Sequence, residues 1–174
     1  MTTTPRQPNP PLLQDRYQIT AKLGDTRLAS VYRGLDMRLN RPILVHVLRA
    51  DLQNNDTLRE RFISEANDQA KRTHPALLDV FDQGQVGLRP YVITEDASGK
   101  PLAEALPLTL PEGMRIWRKI VGAVATALAT QTAVPPLASR AILITDTGIP
   151  MLLEPWWLTP DELRDEQRAY WAPE

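Results

Sequence analysis

The chain has 174 residues, a formal net charge of -1 and no cysteine. That length suits one domain with a sizeable core, or most of a larger one, and the near-neutral charge gives no strong field for nucleic acid or a membrane surface. Disulfides and thiolate sites are excluded, and with only His46 and His74 so is a multi-histidine metal centre. The first residues, MTTTPRQPNPP, lack the apolar segment of a signal peptide, and no run approaches spanning length. A cytoplasmic location is the expectation.

Residues 1–15 are polar and proline-rich and read as a mobile tail, or else as a proline-motif ligand. Strands are expected at Tyr17–Leu23, Leu28–Leu35 and Pro42–Arg49, with Gly24-Asp25-Thr26-Arg27 as a hairpin connection. The third strand sits in the run RPILVHVLR from Arg41 to Arg49. Ile43, Val45 and Val47 fall on one face of it, and Leu44, His46 and Leu48 on the other. His46 is the ionisable residue inside that run. Taken alone, it reads as a half-buried histidine hydrogen-bonded to a neighbour.

The period then changes. Asn55–Thr73 reads as a helix with Asp56 as N-cap and with Leu58, Phe62, Glu65, Ala66 and Gln69 on one face. Strands follow at Leu77–Asp82 and Arg89–Glu95, joined by a turn at Gly84–Gly87. A short helix is expected at Leu102–Leu106 and a longer one at Pro111–Thr130, its apolar side formed by Met114, Trp117, Val121, Val124 and Leu128. Ala141–Thr145 and Ile149–Leu153 flank the hairpin signal Asp146-Thr147-Gly148. Thr159-Pro160-Asp161-Glu162 has the form of a capping box, so Pro160–Arg168 reads as a short helix and Thr159 as its N-cap rather than a phosphosite. Trp156-Trp157 reads as core packing, with an exposed binding feature as the alternative.

The order of these elements resembles the eukaryotic-type serine/threonine protein kinases of bacteria. RYQITAKLG and SVYRGLD resemble the first two strands around the glycine-rich loop, and RPILVHVLR resembles the third. LRERFISEANDQAKRTHPALLDVFDQG resembles the αC helix, the His-Pro turn and the fourth strand, and RPYVITED the fifth strand and hinge. AILITDTGIPMLLEPW resembles the stretch from the catalytic-loop asparagine to the metal-binding motif, and AYWAPE the end of the activation segment. The resemblance implies an α+β, kinase-like fold: a five-stranded antiparallel N-lobe sheet with a packed helix, and a partial helical C-lobe ending at APE. It divides the chain into a tail at 1–15, an N-lobe at 16–96, and a hinge with partial C-lobe at 97–174.

The same resemblance assigns chemistry residue by residue. The loop glycines fall on Gly24, Thr26 and Ala29, so only the first is kept. The other two allow close approach of backbone to phosphate, which a Cβ obstructs. The phosphate-holding lysine falls on His46, and its αC glutamate partner on Glu65. A His46–Glu65 pair is therefore expected, one that raises the histidine pKa and favours its charged form. The base aspartate falls on Pro136, the metal-binding asparagine on Ala141, and D-F-G on Glu154-Pro155-Trp156. Neither Pro136 nor Ala141 accepts a proton or binds Mg²⁺, and the longer Glu154 is a poor match for tight octahedral geometry. Gly24, Val31, Leu44, Thr94 and Leu143 outline a vestigial nucleotide pocket. Leu44 stands where the family has alanine, and it reads with Val31 and Leu143 as an apolar plug.

The function this implies is a catalytically inactive pseudokinase that serves as a regulatory, protein-interacting module, with neither ATP nor Mg²⁺ as cofactor. The alternatives are an atypical ATP-binding kinase or nucleotide-transferring enzyme using Glu154 and Glu65 with a metal, and a structural spacer in a longer receptor-like chain. Expected partners are proteins: a true kinase, a fused downstream domain, or a second copy meeting a C-lobe surface that lacks its usual cover. No nucleic acid and no membrane segment are expected.

Overall fold

The computed structural model describes residues 12–130, 137 and 139–153. Within them the chain forms an α+β fold with two antiparallel sheets and two α-helices. Strands β1 (Leu12–Leu13), β2 (Tyr17–Asp25), β3 (Ala29–Asp36), β4 (Arg41–Leu48), β5 (Val80–Val86) and β6 (Arg89–Glu95) make a six-stranded sheet in the order β1-β2-β3-β4-β6-β5. Five strands were expected. The sixth, β1, lies inside the expected tail, where Leu12 and Leu13 pair with Gln18 and Tyr17.

Register explains the central strand. Val31 lies opposite His46, and Leu44 and His46 lie opposite Thr94 and Val92. Because side chains alternate, Val31, Leu44, His46, Leu48, Val92 and Thr94 share one face. Helix α1 (Asp56–Ala70) packs on that face through Phe62 and Ala66, against Leu28, Ala29, Leu48 and Val92. The opposite face buries Tyr17, Ile43, Val45, Tyr91 and Ile93. β4 is thus covered on both sides, which accounts for its nearly continuous apolar run.

Boundaries moved for local reasons. The N-cap of α1 is Asn55, not Asp56: its side-chain oxygen accepts from the Leu58 N–H at 3.0 Å. The helix stops at Ala70, three residues earlier than expected. Gln69 is buried with its amide donating to the Leu78 carbonyl at 2.9 Å, tying the helix end to the following loop. β5 starts at Val80 and runs through Gly84, which had been read as a turn. Gly84 serves packing instead, since a Cβ there would collide with the Tyr91 ring lying across it. The turn itself falls at Gly87, in the left-handed region with φ 59°.

The second sheet has the order β7-β8-β9, from Gly99–Pro101, Ile142–Thr145 and Pro150–Leu152. The three-residue β7 was not expected. Leu102–Glu104 is a single 3₁₀ turn where a helix over Leu102–Leu106 was expected. Helix α2 (Leu110–Ala129) begins with a capping arrangement, missed in the sequence, in which the Glu112 carboxylate accepts from the Thr109 N–H at 2.9 Å.

The buried face of α2 corrects the reading of the sequence. Ile116, Ile120, Ala123 and Ala127 are buried. Ile116, Ile120 and Ala123 pack with Ala76, Leu77 and Leu152. Met114, Trp117, Val121 and Leu128, expected in the core, are exposed, and Val124 only packs at the margin. The helix carries two apolar stripes, and the one made of Ile116, Ile120 and Ala123 is the one that packs on Leu152 of β9. The expected helix Pro160–Arg168, the pair Trp156-Trp157 and Thr159 lie outside the described residues.

The far face of the first sheet is closed by a charged frame. Asp36, fully buried, takes two hydrogen bonds from Arg16, at 3.1 and 2.7 Å, and two more from the N–H groups of Arg38 and Leu39. These bonds, the Arg16 pair foremost, hold its carboxyl down at about 2. The Arg41 guanidinium lies 3.7 Å from the same carboxylate and stacks over Phe81 at 3.4 Å.

Two outcomes follow. A depressed carboxyl pKa contributes stability that is complete above its ordinary value and is lost as pH falls through the folded one. Asp36→Asn is expected to cost roughly 2–3 kcal/mol in urea unfolding at pH 7, with the gap to wild type narrowing between pH 4 and 2. Ile120→Ala is expected to cost about 2–4 kcal/mol by the same measurement, as suits the buried stripe of α2.

Candidate nucleotide cleft

The β2–β3 turn is closed by its own side chains. The Thr26 N–H donates to the Ala29 carbonyl at 2.7 Å, and the Ala29 N–H donates to Thr26 Oγ1 at 3.1 Å. Ser30 Oγ donates to Asp25 Oδ1 at 2.5 Å, and Lys22 pairs with Asp25 at 2.8 Å. Two backbone donors at the positions of the lost loop glycines are therefore already spent. Leu28, at the tip, is buried and packs inward with Phe62 and Leu48. Gly24 pairs with Val31 across the strands and has open space where a Cβ would stand, so nothing here uses its freedom.

Below the turn, three of the expected pocket residues meet His46 on the α1 side of the sheet. Val31, Leu44, His46 and Thr94 are all buried, His46 and Thr94 with no exposure at all. His46 Nε2 lies 3.1 Å from Thr94 Oγ1, and the Thr94 hydroxyl donates to the Glu95 carbonyl at 3.2 Å. With its hydrogen directed there, the Thr94 oxygen accepts from an Nε2–H. Burial lowers the His46 pKa to about 3, so the imidazole is neutral at pH 7.

This overturns the expected charge of His46. The sequence reading took Glu65 as its partner and its pKa as raised. Instead Glu65 accepts from Arg61 at 2.6 Å, one helical turn away and partly exposed. The simpler reading of His46, a histidine bonded to a neighbouring polar group, is nearer to what is seen, with burial complete rather than partial.

The remaining positions are more scattered. Ala141 is buried at the end of the 3₁₀ turn Ser139–Ala141, where its carbonyl accepts from the Leu153 N–H at 2.7 Å. Leu143 is half-buried on β8, in the second sheet, opposite Met151 and Pro101. Pro136 and Glu154 lie outside the described residues. Among the described residues no group of three His, Asp or Glu side chains is placed to hold a metal.

A cleft of about 560 Å³ lies elsewhere, a feature the sequence reading did not find. It runs along residues 95–98 and is lined by His74, Asp79, Glu95, Asp96, Asp146 and Met151, but by none of Val31, Leu44, Thr94 or Leu143. Burial, and then Asp79, push the Glu95 carboxyl above its usual range. The carboxylates come together only because three separate connections converge, and no local motif signals that.

The sign for His46 is the reverse of a paired histidine. The unfolded chain takes up a proton near the ordinary value of 6.5, whereas the folded state resists until about 3. Stability is therefore complete above pH 6.5 and declines as pH falls from there toward 3. His46→Gln is expected to flatten that part of the curve in urea melts taken at pH 4.5, 5.5 and 7.5.

Comparison with known proteins agrees with this architecture. No protein-family model matches the chain. The serine/threonine-protein kinase PknL of Mycobacterium bovis is 33% identical over 141 residues, which cover 79% of this chain and 35% of that protein. PrkC of Bacillus subtilis, also a serine/threonine-protein kinase, is 30% identical over 140 residues, covering 78% of this chain and 22% of PrkC. The chain thus spans about a third or less of these relatives. Among solved structures, the Mycobacterium tuberculosis PknI kinase domain matches with a TM-score of 0.65 at 21% identity, over 79% of this chain and 58% of that one. The apo form of PpkA-294 matches with a TM-score of 0.67 at 22% identity, over 98% and 69%. At such identities the structures speak for the fold alone. The fold and the sequence relatives together place the chain in the family of bacterial eukaryotic-type serine/threonine protein kinases.

Proposed function

We propose that this chain is a pseudokinase domain, with nucleotide binding lost or weak, that works through protein contacts rather than phosphoryl transfer. One observation carries the reading: a neutral, fully buried His46 stands where the family's phosphate-holding lysine belongs. Phosphoryl transfer depends on positioned cations around the transferred group. An imidazole held neutral against Thr94 offers none. The spent donors of Thr26 and Ala29 and the inward Leu28 support the same reading, because two N–H groups of the turn are already bonded within it and its tip packs on Phe62 and Leu48. Buried Val31 and Leu44 fit an apolar plug in the adenine region.

In this reading residues 16–96 are an N-lobe and 97–174 a hinge with partial C-lobe. His46, Pro136, Ala141 and Glu154 are its degenerate catalytic positions. No helix of the described residues is long and apolar enough to cross a membrane, and we take the domain to act in the cytoplasm. Its partners are a true kinase, a fused domain or a second copy.

ATP with Mg²⁺ at millimolar concentration is expected to shift the melting temperature by less than about 1 °C, because ligand stabilisation scales with occupancy of the folded state. A rise of several degrees, or a millimolar-or-better Kd by calorimetry, counts against the reading and favours the atypical enzyme.

A further inference from the structure

His74 stands where the two sheets are joined. The connection 71–79 runs from α1 to β5. Toward the first sheet, its Leu78 carbonyl holds the Gln69 amide of α1 at 2.9 Å. Toward the second, Ala76 and Leu77 pack with Ile116, Ile120 and Ala123 of α2 and with Leu152 of β9. Leu77 bridges Leu152 in parallel, and the Leu152 N–H donates to the Ala76 carbonyl at 2.8 Å.

The His74 ring shapes this connection. Its Nδ1 accepts from the Ala76 N–H at 3.1 Å, and the His74 carbonyl accepts from the Leu77 N–H at 2.9 Å. An Nδ1 that accepts carries no hydrogen, so the ring is neutral with its proton on Nε2. The Nε2 edge lies against α2 at Gly122, where a Cβ would stand 2.8 Å from that nitrogen. The ring seats there because Gly122 leaves the space. A protonated ring donates from both nitrogens and turns an N–H against the Ala76 N–H.

The surrounding charges set the direction. Burial first, and then Lys119 of α2, hold the His74 pKa below its ordinary 6.5. Across the cleft stand Asp79, Glu95, Asp96 and Asp146, with Asp96 paired to Arg33 at 3.0 Å. Their attraction for a histidinium does not reverse the sign. On its own segment, Lys71 pairs with Asp68, and Arg72 donates to the Asp68 carbonyl.

We propose that His74 is a pH-sensitive latch between the two sheets: the neutral ring holds Ala76 in place for Leu152 of β9, and protonation releases the 74–77 turn from β9 and α2. The latch is complete above pH 6.5. Release returns the ring to water, so the released form grows as pH falls below that value. The latch rests on neither the charge of His46 nor the occupancy of the nucleotide cleft.

The test follows single amides of the 174-residue chain by NMR hydrogen exchange at pH 7.5, 6.0 and 5.0, with amides of β4 as reference. Relative to them, protection of the Ala76 and Leu152 amides is expected to fall about threefold or more from pH 7.5 to 5.0. In His74→Asn, whose carboxamide oxygen accepts in place of Nδ1 and does not titrate, protection is expected to stay flat. His46→Gln is expected to leave the fall unchanged. Protection that is constant with pH, or that falls equally in β4, overturns the proposal. So does a fall that survives His74→Asn or disappears in His46→Gln. The unaltered chain gives a second readout: ring ¹⁵N shifts of His74 at pH 7.5 are expected to show a bare Nδ1 and a protonated Nε2. A hydrogen on Nδ1 overturns the proposal whatever the variants do.

Discussion

The described fold depends on burying β4 from both sides. Ile43 and Val45 face Tyr17, Tyr91 and Ile93, while Leu48, on the opposite side, packs with Phe62 and Ala66 of α1. A strand so enclosed must be satisfied within the sheet and cannot leave a charge uncompensated. That constraint governs His46. With no exposure, and with Thr94 beside its ring, the imidazole is cheapest to keep neutral. The departure from a kinase-like site is thus a matter of dielectric as much as of residue identity: the position is filled by a polar group that the core can tolerate without a counter-ion.

Electrostatic work is concentrated instead on the far side of the sheet. Asp36 is the buried charge there, and it is met by Arg16, Arg41 and two backbone N–H groups. Such a carboxylate costs much to desolvate and is retained only when nearly every lone pair is used. It ties the turn after β3 to Arg16, the residue just before β2. The face opposite the cleft is held by ions, and the cleft side by apolar contact.

Much of the first sheet was legible because its signals are local. The alternation in RPILVHVLR, the turn residues at Gly24–Arg27 and the 3.6-residue pattern through Phe62, Ala66 and Gln69 each specify an element by themselves. What failed depended on tertiary choice. Helix α2 has two apolar stripes, and hydrophobicity favoured Met114, Trp117 and Val121, whereas the stripe that packs with Ala76, Leu77 and Leu152 is Ile116, Ile120 and Ala123. Gly84 looked like a turn residue but is small for the sake of Tyr91. The partner of Glu65 was misjudged for a related reason. The resemblance put a cation-binding pair across the cleft, whereas Arg61, four residues back on the same helix, was the nearer cation. At the candidate site the residue types could be read from sequence, but protonation and donor occupancy required the coordinates.

The attachment of α1 has a consequence of its own. The helix is fastened by Phe62 and Ala66 in the core and by the Gln69 amide on the Leu78 carbonyl, with Glu65 occupied along its own flank. Phe62 also packs on Leu28, the residue at the tip of the β2–β3 turn. The turn and the helix therefore share one apolar cluster, and a displacement of either requires the other to repack. The N-terminal half behaves as a unit in which the cover of the cleft and the helix beside it move together or not at all.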